Sequence, residues 1–136
     1  MPDKKIVRGV CVWKPGPNFD EQVLLIYEKS RWGLPGGHAE NGENAKGALE
    51  REFEEEAGLA IKILGQFYVH TTTTVTKTIK EYFFIAVPLE RRAREIATGT
   101  GNVAWFPIRR LPRRTVRHYE LQVRKALRLL EEKRQT

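Results

Sequence analysis

A single cysteine in 136 residues excludes an internal disulfide. Cys11 stands in an apolar, alternating stretch and reads as a small core residue, in a protein suited to a reducing compartment. The three histidines, His38, His70 and His118, lie far apart along the chain and lack the spacing of a zinc cluster or of a nucleophile with its base. Long hydrophobic runs are missing too. Nothing approaches the roughly 18 apolar residues of a membrane span, and MPDKKIVRGVCVW has no signal-peptide core, so the expectation is a soluble cytoplasmic protein with no membrane partner. Without repeats or a low-complexity linker, and with 40% apolar residues, the chain reads as one domain, 1–136, able to bury a core without a structural metal.

Acidic residues are the scarcer charge, and the net charge is +7. Their placement is uneven. Residues 37–59 hold seven acids against two bases, whereas residues 103–136 hold ten bases against three acids. An acidic patch suited to cations thus sits in a protein whose remaining surface favours anions such as phosphate-rich substrates.

Between Gly37 and Leu59 the chain reads GHAENGENAKGALEREFEEEAGL. A helix is expected from about Glu43 to Ala57, stopped by Gly58 at a position where a left-handed cap is common. At roughly 100° per residue, Ala45, Ala48 and Leu49 define its apolar face, and Glu52 and Glu56 fall inside that arc with Glu55 on its edge. Carboxylates pointed at a core are costly unless their charge is compensated. Hard oxygen donors at i, i+3 and i+4 select Mg²⁺, or Mn²⁺ in its place, over softer-ligand metals. Such an ion binds phosphate oxygens and lowers the pKa of bound water, which points to pyrophosphate hydrolysis.

The segment resembles the Nudix box: G, five residues, E, seven residues, then R-E-U-x-E-E-x-G-U with U apolar. Gly37, Glu43, Arg51, Glu52, Glu55, Glu56 and Gly58 occupy the invariant places, and Phe53 and Leu59 the apolar ones. A chance match has a probability on the order of 10⁻⁹ per starting position at ordinary residue frequencies. The resemblance implies an α/β fold, the α/β/α sandwich of a mixed sheet with helices on both faces. It also implies divalent-cation-dependent cleavage of a nucleoside diphosphate linked to another moiety, by water attack at phosphorus. Carried over residue by residue, it assigns metal binding to Glu52, Glu55, Glu56 and the Gly37 carbonyl. Arg51 orients the glutamates, and Glu43 braces the loop onto the helix.

The general base is expected from Glu52 or Glu56 in the box, or from Glu81 or Glu95 outside it. Alternation places Glu81 on the strand face opposite Tyr82, as a surface acid. TKTIKEYFFIA resembles a K-x-x-x-Y-F pattern of dinucleoside polyphosphate hydrolases in the family, which makes Lys80 a phosphate contact and Tyr82 a base-stacking or phosphate-contacting residue. The pair Gly36–Gly37 departs from the LPKG form of that subgroup, so ADP-ribose-like compounds and nucleoside triphosphates stand beside dinucleotides as substrates. Two alternatives belong to other classes: a non-catalytic nucleotide- or RNA-binding module, and an enzyme of RNA 5′ ends, suggested by RRLPRRTVRHYE and the basic terminal helix.

Elsewhere, Ile6 to Trp13 and Gln22 to Tyr27 read as strands, as do residues 60–77, 78–89 and the shorter 102–108. SRWGLPGGHAENGE is expected to be irregular, and ERRAREIATGTGN a mobile surface loop. Val116, Tyr119, Val123, Ala126, Leu127 and Leu130 at helical spacing mark an amphipathic helix from Thr115 to about Lys133.

Overall fold

The computed structural model describes residues 3–89, 91–98 and 101–135. Seven strands and two helices follow in the order β1 (Lys4–Trp13), β2 (Gln22–Glu28), β3 (Arg31–Gly33), β4 (Gly36–His38), α1 (Ala45–Ala57), β5 (Ile61–Thr73), β6 (Thr78–Pro88), β7 (Val103–Pro107) and α2 (Arg117–Arg134). The main path of the sheet is β3-β2-β1-β6-β5, with β4 paired to β1 and β7 to β2. β1 runs parallel to β6, and the other named pairs are antiparallel. The sheet is therefore mixed, as expected, and a helix covers each face.

Strand β1 explains the layering. Val7 and Cys11 join the core beneath α1 with Ala48, Leu49 and Phe53, while Val10 and Val12 join the core beneath α2 with Val123 and Ala126. A strand buried on both faces reads as a nearly continuous apolar run. Gly9 interrupts it because a β-carbon there would lie 2.5 Å from the Phe53 ring. The absent side chain lets α1 settle onto the sheet. Fully burying Phe53 stabilises this contact by about 1.5–3 kcal/mol.

One edge of β1 is shared by two partners. Ile6, Val7 and Arg8 pair with β4, and Val12 and Trp13 pair with β2. The sheet parts between them, where the Gly9 N–H donates to the Pro35 carbonyl across 3.0 Å. That parting leaves a cavity whose lining includes Arg8, Ile26 and Leu34.

Helix α1 begins later than its periodicity suggested. Asn44 is the N-cap, its side chain accepting from Gly47 N at 2.7 Å, and Glu43 lies outside the helix. Gly58 ends it in the left-handed conformation at φ 62°. The segment expected to be irregular contains the short strands β3 and β4; backbone pairing to β2 and β1 orders it despite its glycines and prolines.

The expected mobile loop is also partly regular. Arg91–Glu95 form a 3-10 turn whose buried Ala93 carbonyl accepts from Trp105 Nε1 at 2.7 Å, and residues 90, 99 and 100 fall outside the described residues. Cys11 is fully buried, and burial pushes its thiol pKa far up, so it is a core residue with no reactive thiolate. No described helix is long and apolar enough to cross a membrane.

Candidate metal and phosphate site

Arg51 is the hub of the site. Its Nε donates to Glu43 Oε2 at 2.8 Å, and Nη2 donates to Glu43 Oε1 at 3.1 Å and to the His38 carbonyl at 3.0 Å. Nη1 reaches Glu52 Oε1 at 3.1 Å and Glu55 Oε2 at 3.2 Å. A planar guanidinium can hold three carboxylates and a carbonyl in fixed directions, which an ammonium cannot. Glu43 in turn accepts from the Glu40 N–H at 2.7 Å, tying the loop to the helix. The Arg51 partnership holds the Glu43 carboxyl below its usual range. Glu40 itself is largely exposed, with Arg51 3.7 Å away.

The three glutamates at the end of the box differ in setting. Glu55 is exposed, whereas the Glu52 side chain retains 14% exposure and lies against Gly37. Glu56 accepts from the Gly36 N–H at 2.8 Å. Its pKa is pushed up to about 7, mainly by burial, with Glu52 and Glu28 adding repulsion and the Gly36 bond opposing it. Burial and, after it, the neighbouring carboxylates therefore make an ionised Glu56 costly unless a positive charge compensates it.

Gly36 is required by geometry. Its φ is +147°, and a β-carbon would lie 1.9 Å from the Val7 carbonyl oxygen. The strand pairing of β4 with β1 thus brings the Gly36–Gly37 backbone under the glutamates. Among the described residues no three His, Cys, Asp or Glu side chains already form a closed ligand cluster; Arg51 draws Glu52 and Glu55 to itself.

Of the residues outside the box, Lys80 is exposed, and Tyr82 is partly buried against the core beneath α1. Glu95 is exposed in the 3-10 turn. Glu81 is not the surface acid that alternation suggested. It sits on the α2 face of the sheet, its side chain 12% exposed, and its Oε2 accepts from Arg8 Nε at 3.0 Å and from the Tyr119 hydroxyl at 2.7 Å. Helix α2 covers that face, so the outward side of β6 faces protein rather than water.

Sequence reading passed over Arg8. A signal existed: a lone charge inside a strand whose neighbours on both sides are apolar must be buried and paired. His70 and His118, distant in sequence, meet with ring centroids 4.6 Å apart, and His118 Nε2 lies 3.7 Å from Glu81 Oε1. Burial, then the charge of His70, lowers the His118 pKa. Nothing local in the sequence announces that pairing.

The model of the NUDIX domain matches residues 6–127. The chain belongs to the Nudix family. Among its relatives, a mutator-type protein of Mycobacterium tuberculosis, MutT4, is 34% identical over 112 residues, covering 73% of this chain and 44% of that protein. The human 8-oxo-dGDP phosphatase NUDT18 is 31% identical over 107 residues, covering 68% of this chain and 30% of that protein. The Nudix chain thus spans less than half the length of either relative. Two solved structures share its fold. A Nudix hydrolase from M. smegmatis, RenU, superposes with a TM-score of 0.74 at 15% identity, covering 94% of this chain and 86% of that one. A MutT NUDIX hydrolase from Burkholderia pseudomallei gives 0.66 at 19% identity, over 91% and 98%.

Proposed function

We propose that this Nudix chain is a divalent-cation-dependent pyrophosphohydrolase that cleaves nucleoside diphosphates linked to another moiety, with nucleoside di- and triphosphates ahead of dinucleoside polyphosphates and ADP-ribose-like compounds. The observation that carries the reading is the close set of Glu52 and Glu56 over the Gly36–Gly37 backbone, with Glu56 pushed up to about 7 by burial and by neighbouring carboxylates. The donor set fits Mg²⁺, with Mn²⁺ as a substitute: Glu52, Glu55, Glu56 and the Gly37 carbonyl offer only hard oxygen. When bound, the ion supplies charge neutralisation at the phosphate oxygens and acidification of water.

The chain's own residues do the rest. Arg51 holds Glu52 and Glu55 in register and Glu43 anchors Arg51. Glu81 is engaged by Arg8 and Tyr119, and Glu95 is exposed in the 3-10 turn. These placements favour a box glutamate, Glu52 or Glu56, as the base that takes the proton from the attacking water. Lys80 and Tyr82 contact phosphate and base from β6. The name of the human relative, an 8-oxo-dGDP phosphatase, supports nucleoside polyphosphates as the substrate class.

The test is a substrate panel of nucleoside triphosphates, oxidised nucleotides, dinucleotides, ADP-ribose and triphosphorylated RNA, assayed with Mg²⁺ and with chelator, with products identified by mass. Metal-dependent release of a nucleoside phosphate is expected. Binding without turnover would instead make the chain a nucleotide-binding module, and turnover of RNA alone would make it a 5′-end enzyme.

A further inference from the structure

Beside the β2–β3 hairpin, an open groove of about 640 Å³ is lined by the half-buried rings of Tyr27 and Trp32 together with Asn102, Pro112, Arg113 and Arg114. No carboxylate lines it. Trp32 lies edge-on to Phe106 with ring centroids 4.7 Å apart and has Tyr27 at 5.1 Å, so both rings are fixed before anything binds.

Each wall is tied to the backbone of one ring. The Tyr27 N–H donates to the Asn102 carbonyl at 2.7 Å, and the Trp32 N–H donates to the Arg114 carbonyl at 2.8 Å. The Thr115 N–H and hydroxyl both donate to the Pro112 carbonyl, at 3.2 Å and 2.7 Å, closing a turn with Arg113 and Arg114 at its exposed tip. Their charge is unanswered. Arg109, Arg124 and Arg134 are paired with Glu131, Glu120 and Glu21. Among the described residues, by contrast, no carboxylate lies within 4.0 Å of Arg31, Arg110, Arg113, Arg114 or Arg117.

Fixed aromatic rings beside uncompensated guanidinium groups match a ligand that carries flat bases and negative charge together. An open groove cannot enclose a mononucleotide as a small-molecule pocket does, whereas a strand can lie along it and reach the neighbouring arginines. We propose that this groove binds a single-stranded polynucleotide, with a base stacked on the Tyr27 and Trp32 pair and adjacent phosphates held by Arg113 and Arg114. The site is separate from the hydrolytic one, since none of the box glutamates lines it.

Binding is measured by fluorescence anisotropy with a labelled uridine oligonucleotide on the order of ten nucleotides long, within the span of single-strand sites. It carries a 5′ hydroxyl and is used without Mg²⁺, so neither a terminal phosphate chain nor an ion engages the glutamates. The oligonucleotide is expected to bind more tightly than inorganic polyphosphate of equal charge, which has no base to stack. Trp32→Leu keeps an apolar side chain against Phe106 and should weaken the oligonucleotide by about 5- to 150-fold, the loss of one stacked base, while sparing polyphosphate. Arg113→Gln combined with Arg114→Gln alters only exposed positions and should leave the melting temperature unchanged. It should weaken binding and reduce the slope of log affinity against log salt by roughly 1.4, the equivalent of two phosphate contacts. Equal affinity for oligonucleotide and polyphosphate overturns the proposal, as does unchanged oligonucleotide affinity in the folded double variant or in folded Trp32→Leu. Where Trp32→Leu fails to fold, the double variant and the polyphosphate comparison decide. Loss of the oligonucleotide result would leave nucleotide hydrolysis standing, and absence of hydrolysis would leave the oligonucleotide result standing.

Discussion

Gly37 and Glu52 stand so close that a β-carbon on the glycine would lie 2.8 Å from the glutamate's Oε1. The obstacle is the end of a side chain, which can move, unlike the Val7 carbonyl that a β-carbon on Gly36 would strike at 1.9 Å. Gly37→Ala should therefore fold, with a modest drop in melting temperature, while displacing Glu52 and lowering turnover. Gly36→Ala should fail to fold or lose most of its stability. Circular dichroism melts of both variants, with hydrolysis rates for any folded one, check the contrast. A Gly37→Ala enzyme with normal rates would remove Glu52's position from the mechanism.

The ligand assignment predicts a loss of several orders of magnitude in turnover for Glu56→Gln, and a comparable loss for Glu55→Gln, since each removes a charged oxygen donor at constant volume. Chelation should abolish activity while the circular dichroism spectrum persists, because the two cores are complete without an ion. Near-normal rates for both variants at saturating Mg²⁺ would refute the assignment.

Tyr82 shares its strand face with Phe84 and is partly buried beneath α1, so it contributes to packing as well as to the proposed base contact. Tyr82→Ala should raise KM for the preferred nucleotide by about 5- to 150-fold, the equivalent of a lost stacking contact of roughly 1–3 kcal/mol. A minimal phosphate ester should be spared at temperatures where the variant is folded. Equal losses on both substrates, tracking the loss of folded protein, would leave Tyr82 as a packing residue only.

Glu21 and Arg134 clamp the end of α2 to the approach of β2, with Arg134 Nη2 donating to Glu21 Oε2 at 3.0 Å. The hydrogen bond and charge of Arg134 hold the Glu21 carboxyl below its usual range. A carboxylate with a lowered pKa in the folded state stabilises above its unfolded pKa, and that contribution disappears as the pH falls through the folded value. Because Arg134 is exposed, the pair is worth a few tenths to about 1 kcal/mol. Melting temperatures of the unsubstituted protein and of Arg134→Gln should differ at pH 7 and converge in acid. A difference that persists at low pH would assign the effect to packing.

Local spacing determined much of this protein. The box from Gly37 to Leu59 specified a helix with Glu52 and Glu56 turned inward, because period and apolar neighbours decide which way a helical side chain points. Alternating and continuous apolar runs located the main strands, and the basic amphipathic tail located α2, for the same reason. Asn44 rather than Glu43 begins α1, since capping is decided by a side chain reaching a backbone N–H, which periodicity does not register. What only the tertiary structure decided is the neighbourhood of Arg8. Whether Glu81 meets water or protein depends on α2 crossing its face, and whether Arg8 meets Glu81 depends on parallel pairing of β1 with β6 across more than seventy residues of chain. The meeting of His70 with His118 and the parting of β4 from β2 are likewise products of packing. Each requires distant segments to share one surface, and the energy that brings them together lies in the buried cores rather than in the residues that line the site.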